Sequence, residues 1–350
     1  MAETMFGSSF HLARGAQTLV AQQFAVRPGE GVLITCDGDT ERALIDALVT
    51  AVAACGGQPL VTVLPKLPFQ GALADPFLPD ALAAAAAAAD VWLDFSFPYI
   101  AGSKLHAAAL KAGRVRYALL NLSAAESLAR LYGDVDFEAL MDFQVALVEY
   151  LDARAGATAT TRCPLGSAFS FQLDEIKLKR ARVASNPGMH TMPGAQNLYP
   201  VDGTVKGRIV LQGLFDEHYR LLRQPIVLEV EGDIRSIAGG GSEDLPRFDR
   251  ALRRASGRNE MGRIIHLTMG FHPAARLSGR YFTEDIRIPG SNAIGMGLPW
   301  WVEGGGENHP DGILLDQSFW IDGEQVLDRG RLVGPGHLLP LYEKVAPLFY

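Results

Sequence analysis

The run GVLITC at residues 31–36, then ERALIDALVTAVAACGG at 41–57 and PLVTVLP at 59–65, decides the fold of the first part of the chain. Short apolar stretches rich in β-branched residues flank a stretch of helix length, which makes a strand, a helix and a second strand. The alternation continues through the Ala-rich stretch at 81–89, DVWLDFSF at 90–97, HAAALKAG at 106–113 and RVRYALLNL at 114–122. Such alternation belongs to a parallel sheet with helices on its faces. The alanine run reads as a helix with a small-residue face on propensity alone. A further amphipathic helix over about 137–153 closes this part, so residues 1–155 are expected to form an α/β domain.

Beyond Gly156 the pattern changes to strand-like runs separated by Gly, Pro, Asn and Asp: ATATTRC, FSFQL, GRIVLQG, PIVLEVEG, DIRSIAGGG, GRIIHLTMG and QSFWIDGEQVL. Asp202-Gly203 and Asp322-Gly323 are hairpin-type turn signals. One clear helix, EDLPRFDRALRRA, follows Ser242. Residues 156–350 are therefore expected to form a mainly β (α+β) domain that carries the chemistry.

Composition narrows the function. With 350 residues, 48% of them hydrophobic, there is material for two cores. The net charge is −7 and the 32 basic residues are scattered, so nothing resembles a nucleic-acid footprint, and a small-molecule partner is expected. Cys36, Cys55 and Cys163 are odd in number and far apart, which speaks against a disulfide framework and for packing residues in a reducing compartment. The N-terminal stretch lacks an apolar signal-peptide core, and the apolar run at 81–89 is too short to cross a bilayer. A cytoplasmic protein without a membrane segment is expected.

Phosphate-binding signatures are missing. The loop Cys36-Asp-Gly-Asp-Thr40 has neither the dinucleotide fingerprint nor the P-loop lysine, and Gly239-Gly240-Gly241 reads as a plain turn. The segment GGGENHPDG at 304–312 is more informative. His309 and Asp311 are two apart, so in extended backbone both side chains point to one face. Gly304 to Gly306 permit a close backbone approach. His266 lies inside the apolar strand RIIHLTMG, where a buried imidazole needs a partner. Each alone has an ordinary explanation, a surface loop pair or a hydrogen-bonded core histidine. Together they supply two imidazoles and one carboxylate, the facial set that leaves positions on Fe(II) for substrate and O₂.

At these residues the chain resembles the aminopeptidase T-type (thermophilic) metallopeptidase superfamily and, within it, the 2,5-dihydroxypyridine 5,6-dioxygenases. The resemblance rests on MPGAQNLYPVDGTVKGRIVL, GRIIHLTMGFHPAAR, IPGSNAIGMG, GGGENHPDG and SFWIDGEQVL, in that order. The peptidases hold two metals with two glutamates, two histidines and an aspartate. In this chain the first glutamate position falls on Ala195, the second on His266 and the first histidine on Ala293, while His309 and Asp311 are kept. The resemblance therefore implies a single Fe(II) held by His266, His309 and Asp311. It also implies catalytic roles for His190, in MHTMPG, and for His106, although the register at His106 is off by several residues. The plain alternatives are an exposed loop position for His190 and a solvated helix face for His106. No counterpart of the dioxygenase pocket serine stands near Met296, and Tyr281, Trp300 and Trp301 are candidate pocket walls.

The expected activity is that of a non-heme iron, extradiol-type dioxygenase opening a hydroxylated aromatic or N-heteroaromatic ring with O₂, with homodimers or larger homo-oligomers implied by the relatives. The competing reading is a metal-dependent aminopeptidase or other hydrolase, with Glu303 or Glu307 as base. A ligand-binding module that has lost activity is a third.

Overall fold

A computed structural model describes residues 3–177, 181–256, 260–298 and 309–345. Strands β1 (Gly31–Asp37), β2 (Gln58–Leu64), β3 (Val91–Asp94) and β4 (Arg116–Leu119) come from the alternating run. They are followed by β5 (Thr158–Arg162), β6 (Ala168–Gln172), β7 (Gly188–Thr191), β8 (Ala195–Leu198), β9 (Lys206–Phe215), β10 (Tyr219–Glu231) and β11 (Asp233–Gly239). The remaining strands are β12 (Arg263–Gly270), β13 (Asn292–Gly297), β14 (Asp311–Leu314), β15 (Ser318–Ile321), β16 (Glu324–Asp328) and β17 (Arg331–Leu332).

Contacts divide the described residues into two compact units, one of residues 3–138 and Ala181–Met192, the other of residues 139–177 and Pro193–Val345. The first break precedes most of the helix Phe137–Asp152, instead of following it at 155/156, and Ala181–Met192 returns to the first unit. Gln144 of that helix shows why: its amide donates to the Ala195 carbonyl and accepts from the Gly194 N–H, both in the second unit.

The first unit holds a parallel sheet in the order β2-β1-β3-β4-β7. The helix Arg42–Ala54 joins β1 to β2 and buries Leu44, Ile45, Leu48, Ala51 and Val52, which recur at helical spacing. The alanine run is the helix Asp80–Ala88, burying Leu82 and Ala86. With Leu33, Trp92, Ala109 and Tyr117 these form a closed core. The fifth strand, β7, was not legible as one; it pairs with β4, with Ala118 opposite His190.

The second unit is built on a twelve-stranded sheet whose described neighbours pair antiparallel, in the order β10-β11-β12-β13-β14-β9-β6-β5-β15-β16-β17, with β8 beside β12. Asp322-Gly323 makes the hairpin between β15 and β16, with positive φ of 47° and 84° at the two positions. Asp202-Gly203 is a turn but joins β8 to β9, which do not pair with each other. The described helices include none long and apolar enough to cross a membrane. The three cysteines are free.

Candidate metal centre

Three adjacent antiparallel strands bring the sequence's metal candidates together. In the register of β12, β13 and β14, His266 stands opposite Gly295 and Gly295 stands opposite Asp311. Residues opposite one another share a sheet face, so His266, Gly295 and Asp311 form one row. The pairing of β12 with β13 slips between Ile264 and His266. Ile264 faces Met296 while His266, two residues on, faces the very next residue, Gly295. Uninterrupted pairing would have set His266 against Ile294; the bulge at Ile265 moves it into the row of Asp311. His309 precedes β14, and the Met296 N–H donates to the Pro310 carbonyl at 3.0 Å, which fixes the His-Pro-Asp segment against β13.

Nε2 of His266 lies 3.4 Å from Nε2 of His309 and 3.6 Å from Oδ1 of Asp311, and Nε2 of His309 lies 3.7 Å from Oδ2 of Asp311. The two separations to Asp311 are too long for hydrogen bonds, and all three are near those of ligands around one ion. They resemble the spacing of about 3 to 3.5 Å between donor atoms that each bond a shared small cation at about 2.1 Å. All three residues offer a ligand atom within 4.8 Å of one another, the one such group among the described residues.

Burial sets the protonation of the metal-free cluster. Desolvation lowers His266 to about 3, helped by His309, and lowers His309 to about 4, so both imidazoles are neutral. Desolvation pushes the Asp311 carboxyl up to about 8. Its Oδ1 is buried with no hydrogen-bond partner among the described residues. Gly295 completes the fit: a Cβ there would lie 2.2 Å from Nε2 of His266, on the side of the ring that meets Asp311 and His309. An unsatisfied buried oxygen, two neutral imidazoles and a backbone position that tolerates no side chain suit a divalent cation.

The two candidate bases, His190 and His106, belong to the first unit. His190 sits on β7, partly buried rather than on an exposed loop, with its ring edge-on to Phe24 at 5.8 Å. Its Nε2 meets the Asn186 carbonyl at 2.9 Å. His106 is not on a solvated face: it is 3% exposed, its ring 4.4 Å from that of Tyr117. Ser103 caps the helix Lys104–Lys111 by accepting from the His106 backbone N–H. Burial lowers His106 to about 4. Tyr281 is partly buried beside the short helix Phe282–Asp285. Gly304 to Gly306, Trp300, Trp301, Glu303 and Glu307 lie outside the described residues. The loop after β1 is no phosphate cradle, since the Asp37 carboxylate takes the N–H groups of Asp39 and Phe97.

Reading the sequence alone missed Gly295, the bulge at Ile265, the polar neighbour of His266, Thr268, and that residue's partner Asn197. Thr268 alone carried a visible signal, standing two residues from His266 on one strand.

A family profile described as NicX: 2,5-dihydroxypyridine 5,6-dioxygenase matches residues 16–334. Among solved structures, the chain is similar to a 2,5-dihydroxypyridine dioxygenase from Pseudomonas putida KT2440, with a TM-score of 0.71 and 19% identity over 93% of this chain and 98% of that one. It is also similar to wild-type AmpT from Thermus thermophilus, with a TM-score of 0.64 and 15% identity over 93% of this chain and 99% of that one. Both likenesses concern the fold. A comparison with curated proteins gave no match.

Proposed function

Because the chain belongs to the 2,5-dihydroxypyridine 5,6-dioxygenase family, we propose that it is an Fe(II)-dependent, extradiol-type dioxygenase opening a hydroxylated aromatic or N-heteroaromatic ring such as 2,5-dihydroxypyridine, with His266, His309 and Asp311 holding the iron. The observation that carries this reading is Asp311, whose buried Oδ1 has no donor while two neutral imidazoles converge on its carboxylate. Bound there, iron would supply neighbouring positions for a ring hydroxyl and O₂.

The protein's own groups do the rest. The two imidazoles bring no charge and Asp311 brings one negative charge, which leaves a divalent site at about +1, attractive to an ionised hydroxyl. Gly295 keeps the face of the row open between β12 and β14. For the hydroxyl proton, His190 and His106 are the candidate bases, and hydrogen-bond direction favours His190. A carbonyl only accepts, so the contact with Asn186 puts the His190 proton on Nε2 and leaves the lone pair on Nδ1. In His106 the Gly102 N–H donates to Nδ1, so the neutral ring carries its proton on Nε2. Free Cys36, Cys55 and Cys163 suit a cytoplasmic setting.

The aminopeptidase reading requires further metal ligands, and the positions that would supply two of them are Ala195 and Ala293. Anaerobic reconstitution separates the readings. About one iron per chain, with O₂ consumed on addition of 2,5-dihydroxypyridine, is the expected result. Peptide hydrolysis with zinc or manganese, without O₂ uptake, would overturn it. Sedimentation of the same samples tests the expected homo-oligomer.

A further inference from the structure

Through Nδ1, the ring nitrogen other than the one that faces His309, His266 meets Thr268, which in turn meets Asn197. Thr268 is two residues further along β12 and on the same face. Its hydroxyl donates to Oδ1 of Asn197 at 3.1 Å and lies 3.5 Å from Nδ1 of His266. Asn197 is opposite Thr268 in the pairing of β8 with β12, so the three groups are set by sheet register and not by loop conformation. Thr268 and His266 are 6% and 8% exposed, which limits competition from solvent.

Proton counting gives the chain a direction. A hydroxyl has one proton and can also accept. With that proton given to the Asn197 carbonyl oxygen, Oγ1 of Thr268 can only accept from His266. The ring proton must then be on Nδ1, and the lone pair on Nε2, the atom 3.4 Å from Nε2 of His309 and 3.6 Å from Oδ1 of Asp311. Run the other way, with the Asn197 amide donating to Thr268 and Thr268 to Nδ1, the chain would place the proton on Nε2 and block coordination there.

We propose that Thr268 and Asn197 are positioning residues that hold His266 in its Nδ1-protonated form, so that the Nε2 lone pair is presented to a divalent cation. The proposal rests on the metal reading above, and the two fail in different ways. A ligand histidine whose second nitrogen is fixed by a partner binds metal more tightly, and loss of such a partner costs about 10–100-fold in affinity.

The test uses the full chain as wild type and as T268V, T268S and N197L. In metal-free protein labelled with ¹⁵N-histidine, with H266Q to assign the resonance, the ring-nitrogen shifts report the tautomer. Anaerobic competition titrations with Fe(II) and Co(II) report affinity. Wild type and T268S should show the Nδ1–H form and bind alike. T268V, close in shape but without the hydroxyl, should show mixed tautomers and bind Co(II) about 10–100-fold more weakly. N197L should shift both readouts in the same direction, which keeps the test decisive if T268V folds poorly. An Nε2–H signal in wild type, or a folded T268V that binds Co(II) as tightly as wild type, overturns the relay. A wild type with the Nδ1–H signal that binds neither cation overturns the metal reading on which it rests.

Discussion

Each unit buries an imidazole and a carboxylate, and the two clusters are opposites. In the first unit, Asp94 is 0% exposed at the carboxyl end of β3 and accepts from Tyr117 Oη at 2.6 Å, Thr35 Oγ1 at 2.8 Å and the Ser96 N–H at 3.0 Å. Thr35 in turn accepts from Trp92 Nε1, and the His106 ring packs on Tyr117. Open α/β sheets bind ligands at this end, yet here the carboxylate is supplied with donors from its own neighbours. In the second unit, Asp311 is 3% exposed and its Oδ1 has no donor among the described residues. Burial raises both carboxyls. The difference is in what compensates: fixed donors make Asp94 part of the scaffold, whereas Oδ1 of Asp311 has none among the described residues, the gap that the proposed cation would fill. The degree of satisfaction, more than burial or residue type, separates a structural polar cluster from a functional one.

Paired truncations strike the contrast hardest. Asp311→Ala should weaken Fe(II) or Co(II) binding by more than about 100-fold, because losing even an indirect partner of a ligand costs about 10–100-fold. It should leave the metal-free protein as stable as before or more so, since a buried carboxyl group with an unsatisfied oxygen is removed. Asp94→Ala should do the reverse, costing at least about 3 kcal/mol by orphaning several buried donors at about 1–3 kcal/mol each, with cation affinity unchanged. Metal titrations and urea melts in chelator measure both, and a D311A protein as destabilised as D94A would erase the distinction.

A gentler probe is acid. His106 titrates near 6.5 in an unfolded chain but is lowered to about 4 in the fold. Between those values the unfolded state binds the proton and the native state does not. Stability is therefore highest above pH 6.5 and falls as the pH drops toward 4, by at most about 3 kcal/mol from this residue. His266 and His309 slope the same way, so the quantity to measure is the difference between wild type and His106→Gln in melts at pH 7.5 and 4.5. Equal slopes in the two proteins would show that His106 is not held neutral by the core. The smallest effect belongs to neither cluster. At Gly323, φ is +84° and a Cβ would meet nothing within 4 Å, so Gly323→Ala should cost only about 1 kcal/mol through backbone strain. Loss of cation binding in that variant would tie the site to the distant β15 and β16 hairpin.

Much of this was readable in advance where the physics is local. The alternation over residues 31–122 is a matter of periodicity, and it appears as β1 to β4 with their helices. His309 and Asp311 advertise a shared face by their spacing, and His266 was suspect because an imidazole in an apolar strand needs a partner. Long-range pairing was not readable. Nothing within GMHT announces that β7 completes a parallel sheet begun at residue 31. The amphipathic pattern of Phe137–Asp152 shows that one face is buried, but not in which unit. The bulge at Ile265 is invisible in RIIHLTMG, because it exists only relative to β13. Gly295 likewise gains its meaning from the neighbours on either side of it.

The return of Ala181–Met192 to the first unit bears on how the chain is made. As it leaves the ribosome, the edge of β4 has no strand to pair with until β7 has been synthesised, and by then residues 139–177 of the other unit have already emerged. Neither unit is a contiguous segment, so no single truncation delivers one intact. A fragment stopped before residue 188 would carry a sheet with an unprotected edge, a template for self-association.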